Sequence, residues 1–305
     1  MLTKVDLPLL TCSAADEWDV QEGNTEDVGA LMLVKDDEEL AASLSALVKE
    51  APSAIPVAVC CAAEGAKGIV VWDNGNITVY GKDAGHGELG SKKQLKPFEL
   101  PCAVASVSMG TDHTCFLLRD GTVWCCGNNN AGQCGQEPAG GDASATCEIQ
   151  QVHIGQTAVA IGCGEHHTVV VGVNDTFSFG DNSEGQLGRE GPGHSLIPLD
   201  LPRASAVSCG RAHTLIRTAR GVFGFGSNKR QQLGLSTSTE CARSPTLLYD
   251  NCRVGNFGAS CDFSWAACSE EMADFTESAL VLPRRTGAFA VRAPRCFRTA
   301  PADPP

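Results

Sequence analysis

One nine-residue pattern constrains this chain more than any other feature, because the chain writes it several times. Gly180-Asp181-Asn182-Ser183-Glu184-Gly185-Gln186-Leu187-Gly188 is the clearest copy. Gly127-Asn128-Asn129-Asn130-Ala131-Gly132-Gln133-Cys134-Gly135 repeats it with Cys134 in the leucine slot. Gly226-Ser227-Asn228-Lys229-Arg230-Gln231-Gln232-Leu233-Gly234 repeats it with Gln231 replacing the middle glycine. A looser copy runs from Gly81 to Gly87-Glu88-Leu89-Gly90, with one residue inserted. A turn that recurs in this way closes one structural unit after another, so the chain is a row of like units.

Each unit opens on Gly-x-x-His-Thr: Gly110 to Thr114, Gly164 to Thr168 and Gly210 to Thr214. An apolar strand follows, as in Cys115-Phe116-Leu117-Leu118 and Val169-Val170-Val171. A hairpin signal comes next (Asn74-Gly75, Asp120-Gly121, Asn174-Asp175, Arg220-Gly221), and then a second strand such as Thr122-Val123-Trp124-Cys125. Opening glycine to nonapeptide glycine is 16 residues for Gly65 to Gly81, Gly164 to Gly180 and Gly210 to Gly226, and 17 for Gly110 to Gly127. The linkers between units hold further short strands, such as Ala158-Val159-Ala160-Ile161 and Ala206-Val207-Ser208-Cys209. Four short antiparallel strands in a unit of about 50 residues make a propeller blade.

A fifth unit begins and fades. Gly258 lies 48 residues past Gly210, with Cys261 where the histidine belongs and Asp274 where the next nonapeptide should start. The expected architecture is all-β: an incomplete propeller over 59–280, with four recognisable blades and part of a fifth. Residues 1–58 form an acidic α/β extension, with a strand-like Ala30 to Val34 and a helix over about 37–50 that presents Leu40, Leu44, Leu47 and Val48 on one face. Residues 281–305, rich in Pro and Arg, read as a disordered tail.

Charge narrows the partners. The net charge is −13, and residues 1–58 alone hold 12 acids against Lys4, Lys35 and Lys49. A phosphate backbone repels such a chain, so direct nucleic-acid binding is not expected. No 18-residue apolar run implies a membrane span, and the acidic start argues against a secretory signal. The expected location is therefore cytoplasmic, nuclear or both. In a reducing compartment the 16 cysteines read mostly as small buried hydrophobes. No Cys-x-x-Cys pair, phosphate loop or nucleophile motif occurs, so no catalytic residue, cofactor or metal site is expected.

Gly-x-x-His-Thr, an Asp-Gly-type turn and then Gly-x-Asn-x-x-Gly-Gln-Leu-Gly resemble the regulator of chromosome condensation repeat, over roughly 65–270. The resemblance implies a β-propeller, usually of seven blades. Here the blades are too few for such a ring: degenerate strands from 1–58, another chain, or an incomplete product would account for that. Proteins of this kind exchange nucleotide on small GTPases, serve ubiquitin ligases as recognition domains, bind chromatin or scaffold complexes.

The recurrent residues read first as structure. Gly132 and Gly185 suit a positive φ, and Leu89, Leu187 and Leu233 anchor their loops between blades. His113, His167 and His213, one per blade, cannot converge on one metal and read as bonded to neighbouring backbone; Asn128, Asn182 and Asn228 read as turn formers. Function then lies in what differs between the copies. The fourth unit carries the one locally basic set, Arg211, Arg217, Arg220, Lys229 and Arg230. Partner contact is expected from Arg211, Arg220, Lys229, Arg230 and Gln231. The leading expectation is a non-enzymatic scaffold for other proteins. Guanine-nucleotide exchange on a small GTPase is the alternative, and a chromatin-associated adaptor the second alternative.

Overall fold

The structure is a computed structural model that describes residues 56–61, 67–81, 89, 100–138, 146–250 and 254–268. The expected helix over about 37–50 and the tail from 281 lie outside the described residues. So does most of the acidic extension, although the first strand begins at Pro56, inside the span assigned to it. All seventeen described elements are strands.

They form five antiparallel sheets, each a meander in chain order. The first blade has three strands: β1 (Pro56–Cys61), β2 (Lys67–Trp72) and β3 (Ile77–Gly81). The second holds β4 (Val104–Met109), β5 (His113–Leu118), β6 (Val123–Asn128) and β7 (Thr146–Val152). The third holds β8 (Ala158–Cys163), β9 (His167–Gly172), β10 (Thr176–Gly180) and β11 (Ile197–Pro198). The fourth holds β12 (Ala204–Cys209), β13 (His213–Thr218), β14 (Gly221–Ser227) and β15 (Cys241–Asp250), and the last pairs β16 (Val254–Ser260) with β17 (Phe263–Cys268). The expected hairpins and linker strands are thus present.

Register refines two units. Lys67 pairs with Gly81 as His113 pairs with Gly127, so Lys67 holds the histidine position of the first blade and its opening position falls one residue before Gly65. In the last blade Arg211 N–H donates to Cys261 C=O, as Glu165 N–H donates to Arg211 C=O. Cys261 therefore matches Arg211, and the unit runs two residues later than expected: Ser260 replaces the opening glycine, Phe263 the histidine and Ser264 the threonine. The Gly258 spacing misleads because Gly258 is a residue of β16 itself.

No blade has a core of its own. The buried apolar side chains gather in three clusters, each drawn from neighbouring sheets: Ile69 and Leu89 with Val107 and Phe116; Leu117 and Val152 with Ile161 and Phe179; Val169 and Val171 with Ile216 and Phe225. Strands such as β5 and β9 are buried on both faces, which explains why they read as unbroken apolar runs. Leu89, Leu187 and Leu233 are buried as expected.

One cysteine pair departs from the expectation. Cys115 and Cys125 stand directly opposite in the β5–β6 hairpin and form a disulfide, because that register brings their side chains together on one face. Cys60, Cys126, Cys134, Cys163 and Cys209 are buried.

Candidate functional site

Among the described residues, the three nonapeptides from Gly127, Gly180 and Gly226 each fold as a self-bonded loop. Asn182 Oδ1 accepts from Leu187 N–H at 3.1 Å while its amide donates to Arg189 C=O at 2.8 Å. Gln186 Oε1 accepts from Glu184 N–H at 2.9 Å. Asn228 with Gln232 and Asn129 with Gln133 repeat the pattern. Asn129, one residue after the expected Asn128, is thus the counterpart of Asn182. Asn128 caps Asn130 N–H instead, as Asp181 caps Ser183 N–H. With polar groups bonded inside the loop, the loop is a closing turn.

The loops also latch blade to blade. Thr168 donates its hydroxyl to Gln133 C=O of the preceding blade at 2.8 Å, and His113 Nε2 lies 2.9 Å from Thr168 Oγ1. Because the threonine has one hydrogen and gives it to the carbonyl, the histidine is the donor and carries its proton on Nε2. His167 with Thr214 (3.0 Å) and His213 with Ser264 (2.9 Å) repeat the contact. The partner is a hydroxyl of the next blade, where backbone was expected. Burial holds His113 and His167 down at about 3 and His213 at about 4, so all three are neutral.

At this end of the sheets the third, fourth and last blades meet around a cleft of about 300 Å3. Arg211 and Glu165 occupy the same repeat position in adjacent blades and pair at 3.5 Å. Lys229 reaches Glu184 of the third blade at 2.6 Å, and Arg230 reaches Asp262 of the last at 3.1 Å. The hydrogen bond from Lys229 to Glu184 holds its ammonium above the usual lysine range. Burial pushes Asp181 up, but hydrogen bonds from Ser183 and Gln186 outweigh it and leave the carboxyl below its ordinary value.

The structure thus brings together Arg211, Lys229 and Arg230, with Gln231 on the adjoining loop. It does not bring Arg220, which sits in the turn beyond Thr218, at the opposite end of the β13–β14 hairpin. Arg217 lies over the Phe257 ring, 5.7 Å from its centroid. The basic set is also not a free basic patch: Glu165, Asp181, Glu184 and Asp262 face its cations. Sequence reasoning missed these acids and His166, which also lines the cleft. Stacking the repeat copies in register would have found Glu165, since the position after the opening glycine reads Thr111, Glu165 and Arg211.

Two non-glycine residues have positive φ among the described residues, Gln231 (61°) and Cys261 (33°). Both flank the Arg230–Asp262 pair. The middle glycines of the other two copies, Gly132 (84°) and Gly185 (81°), have the expected positive φ. A Cβ on Gly185 would also lie 3.0 Å from Arg243 Cα, whereas Gln231 is exposed.

The sheets of the described residues, stacked face to face and not closed into a ring among themselves, define the class: a partial β-propeller built from sequence repeats. The Regulator of chromosome condensation (RCC1) repeat matches residues 104–133 and again 174–216. Those two stretches of the chain are copies of this repeat. It is 33% identical over 134 residues to the human "Probable E3 ubiquitin-protein ligase HERC3", covering 41% of this chain and 12% of that protein. It is 29% identical over 147 residues to "Protein RCC2 homolog" of Danio rerio, covering 45% of this chain and 29% of that protein. It therefore spans only a minor part of these relatives. The crystal structure of Prp20p from Saccharomyces cerevisiae superposes with a TM-score of 0.58 at 21% identity, over 72% of this chain and 57% of that one.

Proposed function

We propose that the chain is a non-enzymatic interaction scaffold that docks a partner protein over the cleft where the third, fourth and last blades meet. The observation that carries this reading is the state of the three cations. Arg211, Lys229 and Arg230 each bridge two blades, yet their side chains keep 53%, 54% and 68% exposure. Exposed ion pairs of this kind contribute about 0–1 kcal/mol. A partner carboxylate can therefore replace Glu165, Glu184 or Asp262 at small cost, and a partner cation can take the acid released. The positive φ of Gln231 and Cys261 places backbone strain at the same rim, as binding surfaces commonly do.

Affinity purification of the full chain, quantified by mass spectrometry, tests this. Proteins retained by the wild type and lost with Arg211→Glu/Lys229→Glu/Arg230→Glu support it. An identical set of retained proteins rejects it.

Nucleotide exchange on a small GTPase is the second reading, favoured by the description of Prp20p as binding Gsp1p and histones. At 21% identity that likeness carries the fold alone. Faster nucleotide release from a GTPase on adding the full chain would establish it, and no acceleration across a panel would remove it. A chromatin adaptor, the remaining alternative, requires salt-sensitive retention on nucleosomes. The proposed place of action is the cytoplasm or the nucleus.

A further inference from the structure

A different group of side chains lies in the core between the second and third blades. His113 and Cys115 come from β5 and Cys163 from the end of β8; all three are buried, and their ligand atoms lie within 4.8 Å of one another. This is the one such group among the described residues. Its centre is polar, although the shell around it is apolar: Thr168 Oγ1 lies 2.9 Å from His113 Nε2, 3.8 Å from Cys115 Sγ and 3.9 Å from Cys163 Sγ.

The neighbouring interface shows what is special here. His167 and Cys209 repeat His113 and Cys163, but Val169 stands where Cys115 does, so only one thiol is present. The latch itself needs no second sulfur, because His167 and Thr214 form it without one. His113 Nδ1 is buried with no hydrogen-bond partner, as are His167 Nδ1 and His213 Nδ1, so the second thiol is what sets this interface apart.

We propose that, once the Cys115–Cys125 disulfide is reduced, His113, Cys115 and Cys163 bind a divalent, thiolate-preferring metal ion of the zinc type between the second and third blades. Charge supports a divalent ion: two thiolates and a neutral imidazole around a +2 cation sum to zero, the state a buried apolar site tolerates. Sulfur with imidazole selects zinc-like ions over magnesium or calcium. The steps balance. A dithiol gives two electrons and two protons to the Cys115–Cys125 bond and becomes a disulfide itself, leaving two thiols. The metal then displaces one proton each from Cys115 and Cys163 and takes an imidazole nitrogen. If that nitrogen is Nε2, the ring proton moves to Nδ1 and the Thr168 bond opens. The oxidised and metal-bound forms exclude one another, because both use Cys115.

The test is a cobalt(II) titration of the full chain after phosphine reduction, followed by thiolate-to-cobalt charge-transfer absorption. Cobalt reports sulfur ligation and stands in for zinc. The wild type is expected to show a saturable band. Cys163→Ala and His113→Gln weaken the affinity behind it at least about tenfold. Cys209→Ala, the same position at the next interface, leaves it unchanged. The oxidised wild type, which needs no substitution to fold, loses the band. Equal titrations for wild type and Cys163→Ala, or the same band from oxidised and reduced protein, overturn the proposal, because other cysteines would then be the ligands. So does the absence of any band in the reduced wild type.

Discussion

His113 Nε2 lies 2.9 Å from Thr168 Oγ1 although 55 residues separate the two in the chain. The contact joins the second blade to the third, and His167–Thr214 and His213–Ser264 repeat it at the next two interfaces. Gly-x-x-His-Thr is therefore half of a latch: each unit offers a histidine forward and a hydroxyl backward. The nonapeptide completes the latch by presenting Gln133 or Gln186 C=O to the same hydroxyl.

Acid should undo this arrangement. The folded histidines sit at about 3, 3 and 4, below the ordinary 6.5, so between those values the unfolded chain binds protons that the folded chain refuses. Stability from these groups is complete above about pH 6.5 and falls as pH drops toward the folded values, by about 1.4 kcal/mol per pH unit per histidine. His167→Gln keeps a donor for Thr214 but does not titrate. Denaturation midpoints from pH 7 to 4.5 should fall less steeply for this variant, by the equivalent of one proton.

The shared hydroxyl should matter more than its size. Thr168→Val keeps the shape but leaves His113 Nε2–H and Gln133 C=O unbonded in a buried site, a loss of about 1–3 kcal/mol. Thr168→Ser, which keeps the oxygen, should lose less. Urea denaturation of the two variants separates these outcomes.

Gln231→Gly should stabilise the protein by about 1 kcal/mol, since it relieves a left-handed backbone at a residue with a Cβ. Gly185→Ala, at the same loop position, should do the opposite, because its Cβ meets the backbone of Arg243 and Ala242. Thermal unfolding of the two variants gives the signs directly.

Most of the fold was legible because propeller blades are local objects. The hairpin β5–β6 is contained in one stretch from His113 to Asn128, so period, turn and closing loop could be read from adjacent residues. What was not legible depends on registering one blade against the next. Thr168 as the partner of His113, Glu165 beside Arg211 and the two-residue slip of the last unit are all of this kind. The candidate residues divided for the same reason: Arg211, Lys229 and Arg230 meet because loops at one end converge, while Arg220 belongs to a hairpin turn at the other.

The rim pairs should contribute little to the fold. Arg211→Glu/Lys229→Glu/Arg230→Glu should leave the urea-denaturation midpoint close to the wild-type value, because exposed ion pairs stabilise a fold only weakly. A folded, soluble variant with lost binding then separates recognition from stability.

The most direct test of the docking surface is hydrogen–deuterium exchange of the full chain with and without a protein recovered by affinity purification. The account predicts slowed exchange at 181–186, 211–212, 229–232 and 261–262, around the cleft. Slowed exchange confined to the opposite hairpin turns, at Asp120-Gly121, Asn174-Asp175 and Arg220-Gly221, with the cleft unchanged, would contradict it.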